Sequence, residues 1–169
     1  TTDTLNIKME GDIPSVIQAD MYENGLIPHP YKSNIESQLH WIPQHEWEYS
    51  LDFKAEDYIL REDVIELVFE GLDTYADVWM NGKKILHADN MFRTYSYDVK
   101  DIIKETNNIK IIFYPFEKER DSLIETYPLR FPEKYAVMRK AAYQNGWDWA
   151  PRYMNMGIWQ PVYLKAWTR

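Results

Sequence analysis

Residues 146–152 read Gly-Trp-Asp-Trp-Ala-Pro-Arg, the densest concentration of recognition chemistry in the chain. Asp148 lies between the indoles of Trp147 and Trp149, Pro151 stiffens the backbone beyond them, and Arg152 follows. Aromatic faces stack on the C–H face of a pyranose, and a carboxylate accepts hydrogen bonds from two hydroxyls, so this grouping suits sugar recognition. The competing reading is structural: both Trp residues plug one end of the fold, and Asp148 pairs with Arg152 or Arg139. A second cluster, Ala88-Asp89-Asn90-Met91-Phe92-Arg93, sets carboxylate, amide and guanidinium groups close together. It either presents Asn90 and Asp89 at a sheet edge or forms a turn held by Asx hydrogen bonds.

Other chemistries find little support. The four histidines, His29, His40, His45 and His87, form no His-x-His pair and no i, i+4 pair on a convincing helix, so no metal site is expected. The absence of Cys removes disulfides, thiolate catalysis and sulfur-ligated zinc. There is no Gly-x-Ser-x-Gly elbow, and the six glycines are scattered rather than gathered into a phosphate-cradling loop, so no cofactor is expected. The 27 acidic residues guarantee close carboxylate pairs by number alone, which leaves a glycosidase-type pair undecided. Against 19 basic residues they give a net charge of −8. Without a Lys/Arg cluster, the counterion release that drives nucleic-acid binding is missing. Apolar runs are too short for a bilayer-spanning helix.

The elements that would carry these clusters are mostly strands. The 169 residues, 45% apolar and 15% aromatic, suit one domain spanning 1–169. From Trp47 to Ala55 apolar and polar residues alternate strictly, the mark of a strand with one wet face. Val64–Phe69 reads as a strand buried on more of its surface. Ala76–Met80 and Lys83–Ala88 flank Asn81-Gly82, the pair that tolerates the two positive φ angles of a type I′ hairpin turn. Further strands are expected over Thr94–Val99, Asn108–Tyr114 and Ile158–Trp167, with Pro161 at an edge or bulge of the last. Asp101 is expected to cap a helical turn, and Val16–Glu23 and Glu117–Thr126 to form short helices. Between Pro115 and Gly157 strand periodicity fails, yet four Tyr and two Trp argue for an ordered aromatic stretch. Short strands joined by turns imply a β-sandwich.

Several of these motifs together resemble the amino-terminal domain of glycoside hydrolase family two, and within it the β-mannosidases. The likeness runs from about Ile13 to Trp167. It is carried by Ile27-Pro28-His29-Pro30-Tyr31, by Trp41-Ile42 with Trp47-Glu48-Tyr49, and by Asp73-Thr74-Tyr75-Ala76-Asp77-Val78 with Asn81-Gly82-Lys83 and Ala88–Arg93. Its most specific part is Arg139-Lys140-Ala141, Gly146-Trp147-Asp148-Trp149, Pro151-Arg152 and Gly157-Ile158-Trp159. His29 stands where the family usually has Asp, and Ala150 where it has Gly. The resemblance implies an all-β jelly-roll sandwich, galactose-binding-domain-like, that precedes an immunoglobulin-like domain and a TIM barrel. It implies that the barrel holds both catalytic glutamates of a retaining mechanism, the acid/base one directly after an asparagine. This chain contains no Asn-Glu dipeptide, opens on Thr1 rather than Met, and is therefore expected to be an excised fragment without catalytic residues of its own.

By the same resemblance, Asp148 would hydrogen-bond the terminal β-mannoside, Trp147 and Trp149 would wall the subsite, and Asn90 and Arg152 would help shape it. The alternatives are a free-standing carbohydrate-binding module, a domain that only props up a barrel, and the same domain of a β-galactosidase- or β-glucuronidase-type enzyme.

Overall fold

The computed structural model describes residues 6–32, 34–126 and 133–169; part of the expected aromatic stretch, 127–132, lies outside them. The described residues form seven strands: β1 Trp47–Lys54, β2 Val64–Phe69, β3 Ala76–Met80, β4 Lys83–Ala88, β5 Tyr95–Asp98, β6 Thr106–Phe113 and β7 Val162–Trp167. They form a four-stranded sheet in the order β1-β6-β3-β4 and a three-stranded sheet in the order β5-β2-β7. All pairings are antiparallel. This is the expected β-sandwich.

Alternation explains the layers. The central strand β2 buries every residue except Glu66, while β6 alternates, with Asn107, Ile109, Ile111 and Phe113 buried. Ile65, Leu67 and Phe69 from one sheet and Val78, Met80, Ile109, Ile111 and Phe113 from the other share a single core. β1 lies at an edge, where Trp47, Tyr49 and Phe53 are half-buried and Leu51 is exposed. An open groove of about 1240 Å³, lined by residues of both β1 and β7, accounts for that exposure.

The β3–β4 turn has Asn81 at φ 51° and Gly82 at φ 81°, the type I′ geometry expected from the dipeptide. Asn81 does more than turn the chain. Its amide donates to the Ile102 carbonyl and to Asn107 Oδ1, and its Oδ1 accepts from the Asn108 backbone, fastening the turn to the start of β6.

Two expectations need correction. Asp101 does not cap the turn before β6: the turn is closed by Ile102 and Ile103 N–H groups on the Val99 carbonyl, and Asp98 Oδ1 takes the Lys100 N–H. The last strand begins at Val162 rather than Ile158. Pro161 has no N–H to pair, and the Ile158 carbonyl already accepts from Ser15.

Short helices lie at both ends of the sandwich. α1 (Ile17–Glu23) buries Ile17 and Met21 in the core, and single turns form at α2 (Glu36–Leu39) and, after the Lys54 end of β1, at α3 (Asp57–Leu60). α4 (Phe116–Thr126) follows the Phe113 end of β6 and contributes Phe116 to a second, smaller core with Tyr75, Val137, Met138 and Met154. The aromatic segment stands on this second core.

Candidate functional site

Between α4 and β7, residues 139–157 form one excursion that leaves the second core after Met138, touches it again at Met154 and reaches the main core at Met156. A single 3₁₀ turn, Ala142–Asn145, ends at Gly146, whose φ of 90° and ψ of 154° lie in backbone space that side chains with a Cβ avoid. A Cβ there would also stand 3.3 Å from that of Arg152, so glycine permits the two stems to close. The chain then makes a tight reversal. Trp147 N–H donates to the Ala150 carbonyl at 3.0 Å, and Ala150 N–H donates back at 3.1 Å, leaving Asp148 and Trp149 at the tip. Ala150 keeps a negative φ, so its departure from the family's glycine costs no backbone strain. The His29 ring Nδ1 accepts the Tyr31 N–H at 3.2 Å, the i to i+2 contact that an Asx side chain makes in a turn.

The base of the excursion is polar and dry. Asp73 and Lys140 form an ion pair at 2.5 Å with both side chains 1% exposed. Lys140 Nζ also donates to the Asn155 carbonyl at 2.6 Å. Asp73 Oδ2 accepts from Gln144 Nε2 at 2.9 Å, and Gln144 Oε1 accepts the Asn155 N–H at 2.9 Å. The Asp73 backbone exchanges both hydrogen bonds with Gly157. Gly157 must be glycine, since a Cβ would meet the Ser15 carbonyl at 2.8 Å. Burial lowers the Lys140 pKa, and the Asp73 charge beside it works in the opposite direction.

The tip has none of this shelter. Trp147 is 62% and Trp149 82% exposed, and Asp148 is exposed as well. The structural reading of the motif is thereby overturned: the indoles plug nothing. Among the described residues Asp148 has no ion-pair partner. Arg152 instead lies 3.9 Å from Glu117, and its N–H donates to Glu36 at 2.8 Å.

Asn90 is joined to the excursion's base rather than its tip. Its Oδ1 accepts the Phe92 N–H at 2.9 Å, the Asx turn foreseen as the alternative role of that cluster. Its neighbour Met91 docks on the first stem, with Met91 N–H on the Arg139 carbonyl at 3.0 Å and Ala141 N–H on Met91 Sδ at 3.0 Å. Arg152 flanks a cleft of about 80 Å³ with Gln18, His40, Phe116 and Tyr153, too small for a sugar and separate from the tip residues. No group of three or more metal-ligating side chains is gathered among the described residues. Nor is any described helix long and apolar enough to cross a membrane.

The sequence reasoning missed Asp73, Lys140 and Gln144 as a unit. Asp73 and Lys140 stand inside the motifs that carry the family resemblance; Gln144 carried no signal.

Residues 1–160 match the model of the glycosyl hydrolase 2 galactose-binding domain-like family. The chain belongs to that family. Its relatives within the family include the β-mannosidase of Mus musculus, 29% identical over 175 residues, covering 96% of this chain and 20% of the mouse protein. β-Mannosidase B of Thermothelomyces thermophilus is 32% identical over 159 residues, covering 90% of this chain and 18% of that protein. Among solved structures, the β-D-mannosidase of Dictyoglomus thermophilum superposes with a TM-score of 0.91 at 34% identity, over 98% of this chain and 21% of that one. The exo-chitosanase of Amycolatopsis orientalis shares the fold, with a TM-score of 0.66 at 24% identity. The chain thus spans about a fifth of the length of the curated relatives it matches.

Proposed function

We propose that this chain is the amino-terminal domain of an exo-acting β-mannosidase and supplies one wall of the terminal mannose subsite. One observation carries the reading: a carboxylate between two indoles is held out at the tip of a clamped reversal, exposed and, among the described residues, without an ion-pair partner. A fold does not ordinarily leave two Trp side chains in water unless something covers them. The partner in this reading is a TIM-barrel domain of the same protein, which carries both catalytic glutamates; the chain itself contributes no catalytic group, cofactor or metal. Asp148 accepts hydrogen bonds from two hydroxyls of the non-reducing mannose, and Trp147 and Trp149 close the subsite. Arg152 and Asn90 act behind the tip, one beside the Gly146 stem and the other through the Met91 contact with Arg139. Closing the far side of a subsite lets an enzyme accept chain ends and reject chain interiors.

The test is Asp148→Ala in the full-length glycosidase. Leaving sugar hydroxyls unpaired should cost about 1–3 kcal/mol in transition-state binding, roughly a ten- to hundredfold drop in kcat/KM on a terminal β-mannoside, with the melting temperature unchanged. Unaltered kinetics would remove Asp148 from the site. The exposed indoles also favour a second reading, a carbohydrate-binding module. Titration of the isolated chain with mannose or β-mannobiose distinguishes it, since saturable binding without a barrel would move that reading to first place.

A further inference from the structure

We infer that Asp73, Lys140 and Gln144 are the positioning residues of the sugar-facing tip, through which one buried carboxylate ties both stems of the 139–157 excursion to the root of β3. The inference rests on the reading of Asp148 as a sugar contact and goes one step behind it.

The tip cannot fix its own position. Trp149 is 82% exposed, and the two backbone bonds between Trp147 and Ala150 close the reversal without tying it to the rest of the molecule. Where Asp148 stands is inherited from the stems. The first stem is fixed by Lys140 and Gln144, both on Asp73; the second is fixed by Asn155 and Gly157 and, nearer the tip, by the Arg152 N–H on Glu36. Asn155 is held from two sides, its carbonyl by Lys140 and its N–H by Gln144. Gln144 therefore spans all three strands of chain with one side chain: Nε2 reaches the root and Oε1 reaches the returning stem.

Stability does not explain such an arrangement. A buried ion pair repays its desolvation with little surplus, and apolar residues of similar volume often do as well or better. What apolar packing lacks is direction. Asp73 Oδ1 accepts from Lys140 and from the neighbouring Thr74 hydroxyl, and Oδ2 accepts from Gln144. The two first-stem donors thus meet different oxygens, and the carboxylate sets their separation and angle together. Recognition of a sugar demands this, since displacing a contact group by about 1 Å can cost on the order of a hundredfold in rate. Asp73 and Lys140 touch no substrate in this scheme; they act through Asp148.

A double-mutant cycle in the full-length glycosidase, assayed on p-nitrophenyl β-mannoside, tests this. Asp148→Asn should lower kcat/KM roughly ten- to hundredfold. Lys140→Met should lower it about tenfold alone but less than about twofold in the Asp148→Asn background, while depressing the melting temperature equally in both. Gln144→Met leaves the ion pair in place and supplies the same cycle should Lys140→Met fail to fold. In the isolated chain, Gln144→Met should also speed hydrogen exchange at the Trp147 and Ala150 amides and leave that of β6 unchanged. Equal fold-losses in both backgrounds, or unaltered exchange at the tip, would overturn the positioning role alone. An Asp148→Asn enzyme with normal kinetics would overturn the sugar-contact reading, and this inference with it.

Discussion

The sandwich and the aromatic excursion are held together by different chemistry. Between the sheets the contacts are apolar, with Phe69, Phe113, Val78 and Met80 all fully buried. Such a core tolerates exchange of one apolar residue for another of similar volume at less than about 1.5 kcal/mol. The excursion rests on a five-residue apolar cluster and, beside it, on a network in which named atoms meet named atoms. The first arrangement secures a shape, and the second secures a position. A scaffold needs the former; the tip, under the proposed sugar contact, needs the latter.

The largest expected effect breaks the second arrangement. Asp73→Ala strands the Lys140 ammonium in a site 1% exposed, which should cost about 3–5 kcal/mol in urea unfolding. Removing both charges together, as Asp73→Leu with Lys140→Met, should recover most of that loss, because the uncompensated charge leaves with its partner. A double variant as unstable as the single one would mean that apolar packing, not the ion pair, governs the base.

The sandwich has a charged cluster of its own, and it offers a smaller effect with a distinct signature. On β3, Asp77 accepts from Lys84 at 2.6 Å, His87 at 2.7 Å and Tyr114 at 3.1 Å. Burial alone would raise the Asp77 pKa; these donors outweigh it and hold the carboxyl below its ordinary 3.8. The same contact, after burial, pushes the Tyr114 hydroxyl up to about 12. Because the folded state binds the Asp77 proton less tightly than the unfolded chain, the stabilisation is complete above pH 3.8 and lost as pH falls through the folded value. Asp77→Asn should therefore cost about 1–3 kcal/mol at neutral pH. The gap between variant and parent should close in urea unfolding below pH 3.8. A gap independent of pH would show that the ionised form contributes nothing. The effect is smaller than at Asp73 because Lys84 and His87 are half-exposed and keep water when the carboxylate is lost.

The two regions also differed in how far the sequence betrayed them. Period-two alternation located β1 and β5, and an apolar run located β2. Asn81-Gly82 located the β3–β4 hairpin and specified its turn down to the sign of φ, because these signals are local. The start of β7, expected at Ile158, lies instead at Val162. α2 and α3 escaped notice since four residues are too few to show a helical period. In the excursion, residue types announced the tip while its support stayed hidden. Lys140 lies 67 residues from Asp73, and Gln144 lies 71. No local pattern links a lysine, a glutamine and an aspartate across such gaps. Nor does local pattern tell whether Trp147 and Trp149 are buried. Composition favours burial, and the short reversal between Gly146 and Ala150 prevents it by leaving the indoles no neighbouring layer to enter.

That last point yields the smallest expected effect on stability and the sharpest division between the regions. Trp149 is among the largest side chains in the protein, and in a core its truncation to Ala would cost about 3–5 kcal/mol. At 82% exposure it forfeits almost no buried area, so Trp149→Ala should change the unfolding free energy of this chain by no more than about 0.5 kcal/mol. Under the proposed function, the same substitution in the full-length protein should weaken use of a terminal mannoside, because the proposal sets a sugar or a second domain against the indole. Stability and activity would then separate at one residue. A loss of about 2 kcal/mol or more in the isolated chain would instead mean that the indole packs on its own domain in solution, and Trp149 would pass from the recognising tip to the scaffold.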